Sequence, residues 1–163
     1  MKVSGRHYRS IWINEDGWRV DIIDQTRLPH EFEIITLQSL EDAARAIEVM
    51  QVRGAPLIGA TAAYGICLAL REDASDAALL TADRRLRKTR PTAINLNWAL
   101  DEMSAAIKPL PRELRADAAY ARARELCDSD VATNEAIGRN GLKLIEDIAA
   151  KNPGKTINIL THC

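Results

Sequence analysis

Apolar and polar positions alternate with two different periods along this chain, and the change falls near residue 39. Before it, "SIWIN" and "WRVDIID" are short β-branched and aromatic runs separated by Glu15-Asp16-Gly17. Asp-Gly between such runs predicts a hairpin, and "FEIITL" after the Leu28-Pro29-His30 break predicts a third strand. From Ser39 the spacing lengthens: Leu40, Ala43, Ala44, Ile47 and Met50 share one helical face. Ser39 is placed to cap that helix, with Asp42 three residues on as the reciprocal half of a capping box.

Five further segments read as helical or strand-like. "APLIGATAAYGICLALRE" follows a turn at Val52-Arg53-Gly54, with Pro56 suited to a first turn and small residues that permit close helix packing. Asp76 to Lys88 predicts a polar, alanine-rich helix, and Arg90-Pro91-Thr92 is read as the start of "TAINLNWALDEMSAAI". Residues 112–150 read as one long helix or two in series, with Asp128-Ser129-Asp130 and Asn140-Gly141 as candidate breaks. After Asn152-Pro153-Gly154, "INIL" reads as a buried strand. The expected organisation is an antiparallel β-element over 1–38, a helical domain over 39–152, and the opening strand of an α/β domain over 153–163. Trp12, Trp18, Tyr64 and Trp98 are expected in the core.

Composition narrows the function classes. The 22 Lys and Arg nearly cancel the 23 Asp and Glu in 163 residues, so no electrostatic argument favours nucleic acid or a membrane surface as partner. The N-terminus lacks the apolar stretch of a signal peptide, and Ala55–Leu70 is shorter than the ~20 residues of a membrane span. Cys67, Cys127 and Cys163 are odd in number and widely spaced, which argues against a disulfide framework or structural zinc and for a reducing, cytoplasmic setting.

Three places carry candidate chemistry. In "VRGAPLIG" Gly54 and Ala55 offer backbone N–H groups at a helix start, and Arg53 adds a fork that matches phosphate oxygens. The plainer alternative is a helix–helix corner with Gly54 closing the preceding helix. In "TRPTAINLNWAL" Arg90 precedes a proline-started helix, so the same choice arises between an anion site and a surface arginine. Asn95 and Asn97 are poor interior helix residues that reach a ligand, cap something or face solvent. Cys163, at a strand's carboxyl end, is a reactive thiol or a plain buried one, while Cys67 and Cys127 read as packing residues.

In these segments the chain resembles the methylthioribose-1-phosphate isomerase family, relatives of the regulatory subunits of the translation initiation factor 2B complex. "VRGAPLIGATAAYG", "TRPTAINLNWAL", "NEAIGRNGLKLI", "VDIIDQTRLP" and "NILTHC" match the family's segments in order and at suitable intervals. The resemblance implies conversion of 5-methylthioribose 1-phosphate to 5-methylthioribulose 1-phosphate in methionine salvage. Arg53, Gly54, Ala55 and Arg90 would then bind the phosphorylated sugar, and Cys163 would be the catalytic cysteine. It also implies a homodimer, no metal or organic cofactor, and a Rossmann-like second domain beginning at 153–163 that supplies an acidic group. On that basis these 163 residues are the N-terminal portion of a larger enzyme and are inactive alone. Two alternatives remain: a related isomerase of ribose 1,5-bisphosphate or 5-deoxyribose 1-phosphate, and a non-catalytic regulatory subunit of the translation-factor type.

Overall fold

A computed structural model describes residues 2–162. It divides into two compact units, one ending at Leu126 and the other beginning at Cys127. The first unit opens with a two-stranded hairpin, β1 (Lys2–Val3) and β2 (Arg6–His7), that the hydrophobic pattern did not reveal. The three expected strands follow as β3 (Ile11–Ile13), β4 (Val20–Ile23) and β5 (Ile34–Leu37), in the order β3-β4-β5 and all antiparallel. The Asp-Gly turn forms as expected, with Gly17 at φ +84° and its N–H donating to Asn14 O at 3.0 Å.

β4 is the buried centre of this sheet. Its one carboxylate there, Asp21, accepts from Thr36 Oγ1 at 2.7 Å on the neighbouring strand and from Asn14 Nδ2 at 2.9 Å. Burial of that charge is therefore matched by hydrogen bonds, as a buried carboxylate requires.

Five helices complete the chain: α1 (Leu40–Glu48), α2 (Ala55–Glu72), α3 (Asp76–Arg87), α4 (Ile94–Ile107) and α5 (Arg112–Lys151). α1 carries the capping box read from the sequence, Ser39 Oγ accepting from Asp42 N and Asp42 accepting from the Ser39 backbone. α2 is the central helix, with every residue from Thr61 to Leu68 buried. Its small side chains let the neighbours close in. A Cβ on Gly65 would stand 3.1 Å from Leu86 of α3 and 3.2 Å from Ala43 of α1. On the outside, the Arg85 guanidinium of α3 pairs with both Glu41 and Glu48 of α1.

Within the first unit, the start of α5 is anchored by Arg115. Its buried guanidinium donates to Leu110 O at 3.0 Å and Ala74 O at 3.1 Å and pairs with Asp76 at 2.7 Å. Tyr120 Oη donates to Trp18 O at 2.7 Å, fastening the β3–β4 hairpin to the same helix.

Several expectations need correction. α4 begins at Ile94, so Pro91 and Thr92 lie in a turn ahead of it and not in its first turn. Proline's bias on the residue before it, together with the Ala93 N–H to Arg90 O bond at 3.0 Å, closes a separate turn there. Trp98 is 50% exposed, because the buried face of α4 runs through Leu96, Ala99, Leu100, Met103 and Ile107. Trp12 and Trp18 are partly buried, while Tyr64 is in the core. α5 is continuous through both candidate breaks. A glycine inside a helix costs only ~1 kcal/mol relative to alanine, and Leu142, Lys143 and Leu144 beyond Gly141 are good helix formers.

In the second unit, α5 continues from Cys127 and the chain turns at Asn152–Lys155, with Gly154 at φ +75°. The strand expected across "INIL" is not formed: residues 155–162 have no regular structure and Leu160 is 98% exposed. A parallel strand needs neighbours, and none is present among the described residues. Ile137, Leu142, Leu144 and Ile148 of this unit are also exposed. Among the described residues no helix is long and apolar enough to cross a membrane.

Candidate functional site

Two helix starts meet at one end of the first unit. Among the described residues α2 and α4 make the most extensive helix pairing, and one tight contact of that pairing lies near both beginnings. A Cβ on Gly59 would stand 2.8 Å from Asn95 O and 3.3 Å from Ala99 Cβ, so only glycine allows this contact. Gly59 lies five residues beyond Gly54, about 7 Å of helix rise, and Asn95 is the second residue of α4. The Arg53-Gly54-Ala55 corner and the Arg90–Ala93 turn are thereby carried at the same end of the bundle.

Both starts are bare. Gly54 (φ +95°) and Ala93 are the N-caps of α2 and α4, and neither has a side-chain cap hydrogen bond. Neither first turn contains an acidic residue. α1 and α3 differ on both counts: Ser39 and Ser75 cap them, with Glu41, Asp42 and Asp76 in the first turns. The positive end of each macrodipole and its exposed N–H groups are thus uncompensated in α2 and α4.

The arginines there are equally unengaged. Arg53 is exposed and Arg90 partly buried, and among the described residues neither side chain enters an ion pair or hydrogen bond. Nearby Arg87 contrasts with them, bonded to Asp83 at 2.9 Å, Asp101 at 2.5 Å and Asn97 Oδ1 at 3.1 Å. Each corner sets a guanidinium beside bare backbone amides, the kinds of group that pair with a phosphate-sized anion.

Gly54 begins α2; it does not close the helix before it. That helix ends through Met50, whose φ of 61° places a non-glycine residue in the left-handed region. The loop from there to Arg53 is held from outside. Gln25 N donates to Gln51 O at 2.9 Å, and Gln51 Nε2 donates to Asp24 Oδ2 at 3.2 Å. Asp24 is 4% exposed and also accepts from Thr26 N at 2.9 Å and Thr26 Oγ1 at 2.7 Å. Burial works against its ionisation, but the Thr26 and Gln51 hydrogen bonds outweigh that and hold the carboxyl below the usual carboxylate range.

On the other side Asn97 reaches back to the Arg90 turn, its Nδ2 3.4 Å from both Pro91 O and Ala93 O. Asn97 thus bonds backbone carbonyls of the turn before α4 and the Arg87 side chain, which of the roles open to it is nearest to capping. Cys67 is buried, with Sγ donating to Ala63 O at 3.3 Å, in keeping with a packing role. Cys163 lies outside the described residues. Gly59, Asp24 and Gln51 were missed from sequence. Gly59 left a signal as one of the small residues of α2, and Asp24 lies in the "VDIIDQTRLP" segment that resembles the family; Gln51 left none.

The fold has known counterparts. Translation initiation factor eIF-2B subunit delta from A. fulgidus superposes with a TM-score of 0.70 at 35% identity, covering 77% of this chain and 38% of that one. 5-Methylthioribose 1-phosphate isomerase from Pyrococcus horikoshii OT3 gives 0.69 at 32% identity, covering 76% of this chain and 36% of that one. The sequence pattern of the Initiation factor 2 subunit family matches residues 51–163, and the chain belongs to that family. Among curated relatives, methylthioribose-1-phosphate isomerases from Paramagnetospirillum magneticum and Sinorhizobium medicae are 62% and 57% identical over the whole chain. The Escherichia coli protein of the same name is 53% identical. The chain spans about 45% of the length of these relatives.

Proposed function

We propose that this chain supplies the N-terminal, phosphate-binding part of an isomerase that converts 5-methylthioribose 1-phosphate to 5-methylthioribulose 1-phosphate. The observation that carries the reading is the pair of adjoining, uncapped helix starts, each with an unengaged arginine beside it. Relatives bearing that enzyme's name at 52–62% identity support the substrate.

The chemistry fits what such a site offers. Phosphate on the anomeric oxygen blocks the simple ring opening of a free sugar. Arg53, Gly54, Ala55 and Arg90 hold the phosphate in this reading, which fixes the sugar and stabilises charge during acid-assisted opening at the ring oxygen. Hydrogen then moves between C1 and C2, by proton abstraction or by hydride shift, with Cys163 as the cysteine of that step. Residues 153–163 open a Rossmann-like domain that supplies an acid, and that domain covers the exposed apolar residues from Ile137 onward. The complete protein acts in the cytoplasm as a homodimer, in methionine salvage.

The test is turnover by the full-length protein. NMR should show the ketose phosphate forming from 5-methylthioribose 1-phosphate, faster than from 5-deoxyribose 1-phosphate or ribose 1,5-bisphosphate, and Cys163→Ala should abolish it. Absence of turnover would favour the regulatory-subunit reading, which the likeness to eIF-2B subunit delta keeps in view.

A further inference from the structure

We propose that Asp24 and Gln51 are positioning residues for Arg53: a carboxylate of the β-element clamps the loop that presents the phosphate-binding arginine. The inference rests on the isomerase reading above and adds a role for the β-element in it. Arg53 has no side-chain partner among the described residues, so its placement is inherited from its backbone. That backbone leaves α1 through the unfavourable left-handed Met50 and does not set its own course.

Gln51, two residues before Arg53, is held at both main chain and side chain by adjacent residues of the β-element, Gln25 N at 2.9 Å and Asp24 Oδ2 at 3.2 Å. Thr26 fixes the other carboxylate oxygen, so Asp24 has one orientation to offer. Val52 is buried and its N–H reaches Ala46 O at 3.2 Å, which leaves the intervening turn little freedom. A shift at the end of β4 is thereby passed to residues 51–53.

The test reads KM for 5-methylthioribose 1-phosphate, and competition by inorganic phosphate, in the full-length enzyme. Gln51→Glu sets a second carboxylate against Asp24 and opens the clamp. KM and the phosphate inhibition constant should both rise roughly tenfold, because a small displacement of a positioning group is costly. Adding Asp24→Asn to Gln51→Glu restores the pair with donor and acceptor exchanged, and both constants should return to within about twofold of wild type. Gln51→Glu should have no further effect in an Arg53→Ala background.

Thermal melting of each variant separates folding from positioning. If Gln51→Glu lowers only the melting temperature, leaving both constants unchanged while Arg53→Ala raises them, the clamp is a structural staple and the inference is overturned. If Arg53→Ala itself leaves both constants unchanged, the phosphate-site reading has failed and the inference falls with it.

Discussion

The four helices packed around the core of the first unit begin in two different ways. α1 and α3 are closed by serine caps and acidic first turns, so their exposed amides and macrodipoles are compensated locally. α2 and α4 have glycine and alanine in the same role and no acidic residue in their first turns. The bare starts are the ones that adjoin and the ones that follow Arg53 and Arg90. Bareness therefore follows position, and in the proposed reading a bound phosphate supplies the missing charge.

That contrast can be broken in stages. Arg53→Ala and Arg90→Ala should have the largest effect, each weakening phosphate binding about 10- to 100-fold by calorimetry, in line with ~1.5–3 kcal/mol for a charged hydrogen bond. Gly59→Ala should drive Asn95 away and part the two starts, costing about 1–3 kcal/mol in denaturant unfolding and weakening phosphate binding as well. Ser39→Ala and Ser75→Ala should each cost ~1 kcal/mol of stability and leave phosphate affinity unchanged. Ala93→Asp gives α4 the cap it lacks. It should add up to ~1 kcal/mol of stability while weakening phosphate binding by like charge.

Features with a local physical cause were legible in the sequence. The Ser39–Asp42 box, the Asp-Gly hairpin and the small-residue helix α2 each depend on residues a few positions apart. What sequence reading missed depends on distant partners. Asp24 meets Gln51 across 27 residues, and nothing in either segment announces the other. Trp98 is apolar enough for the core, but the face of α4 that packs runs through Leu96, Ala99, Leu100, Met103 and Ile107 and leaves it half-exposed. The "INIL" run has the composition of a strand and no ladder to join among the described residues.

The central claim is that two helix starts form one anion site, and amide NMR of the full-length protein tests it most directly. On titration with inorganic phosphate, the Gly54, Ala55, Ile94 and Asn95 N–H resonances should shift together along a single isotherm, while those of Asp76 and Ala77 at the capped start of α3 stay still. Separate isotherms for the two starts, or equal shifts at all three, would contradict it.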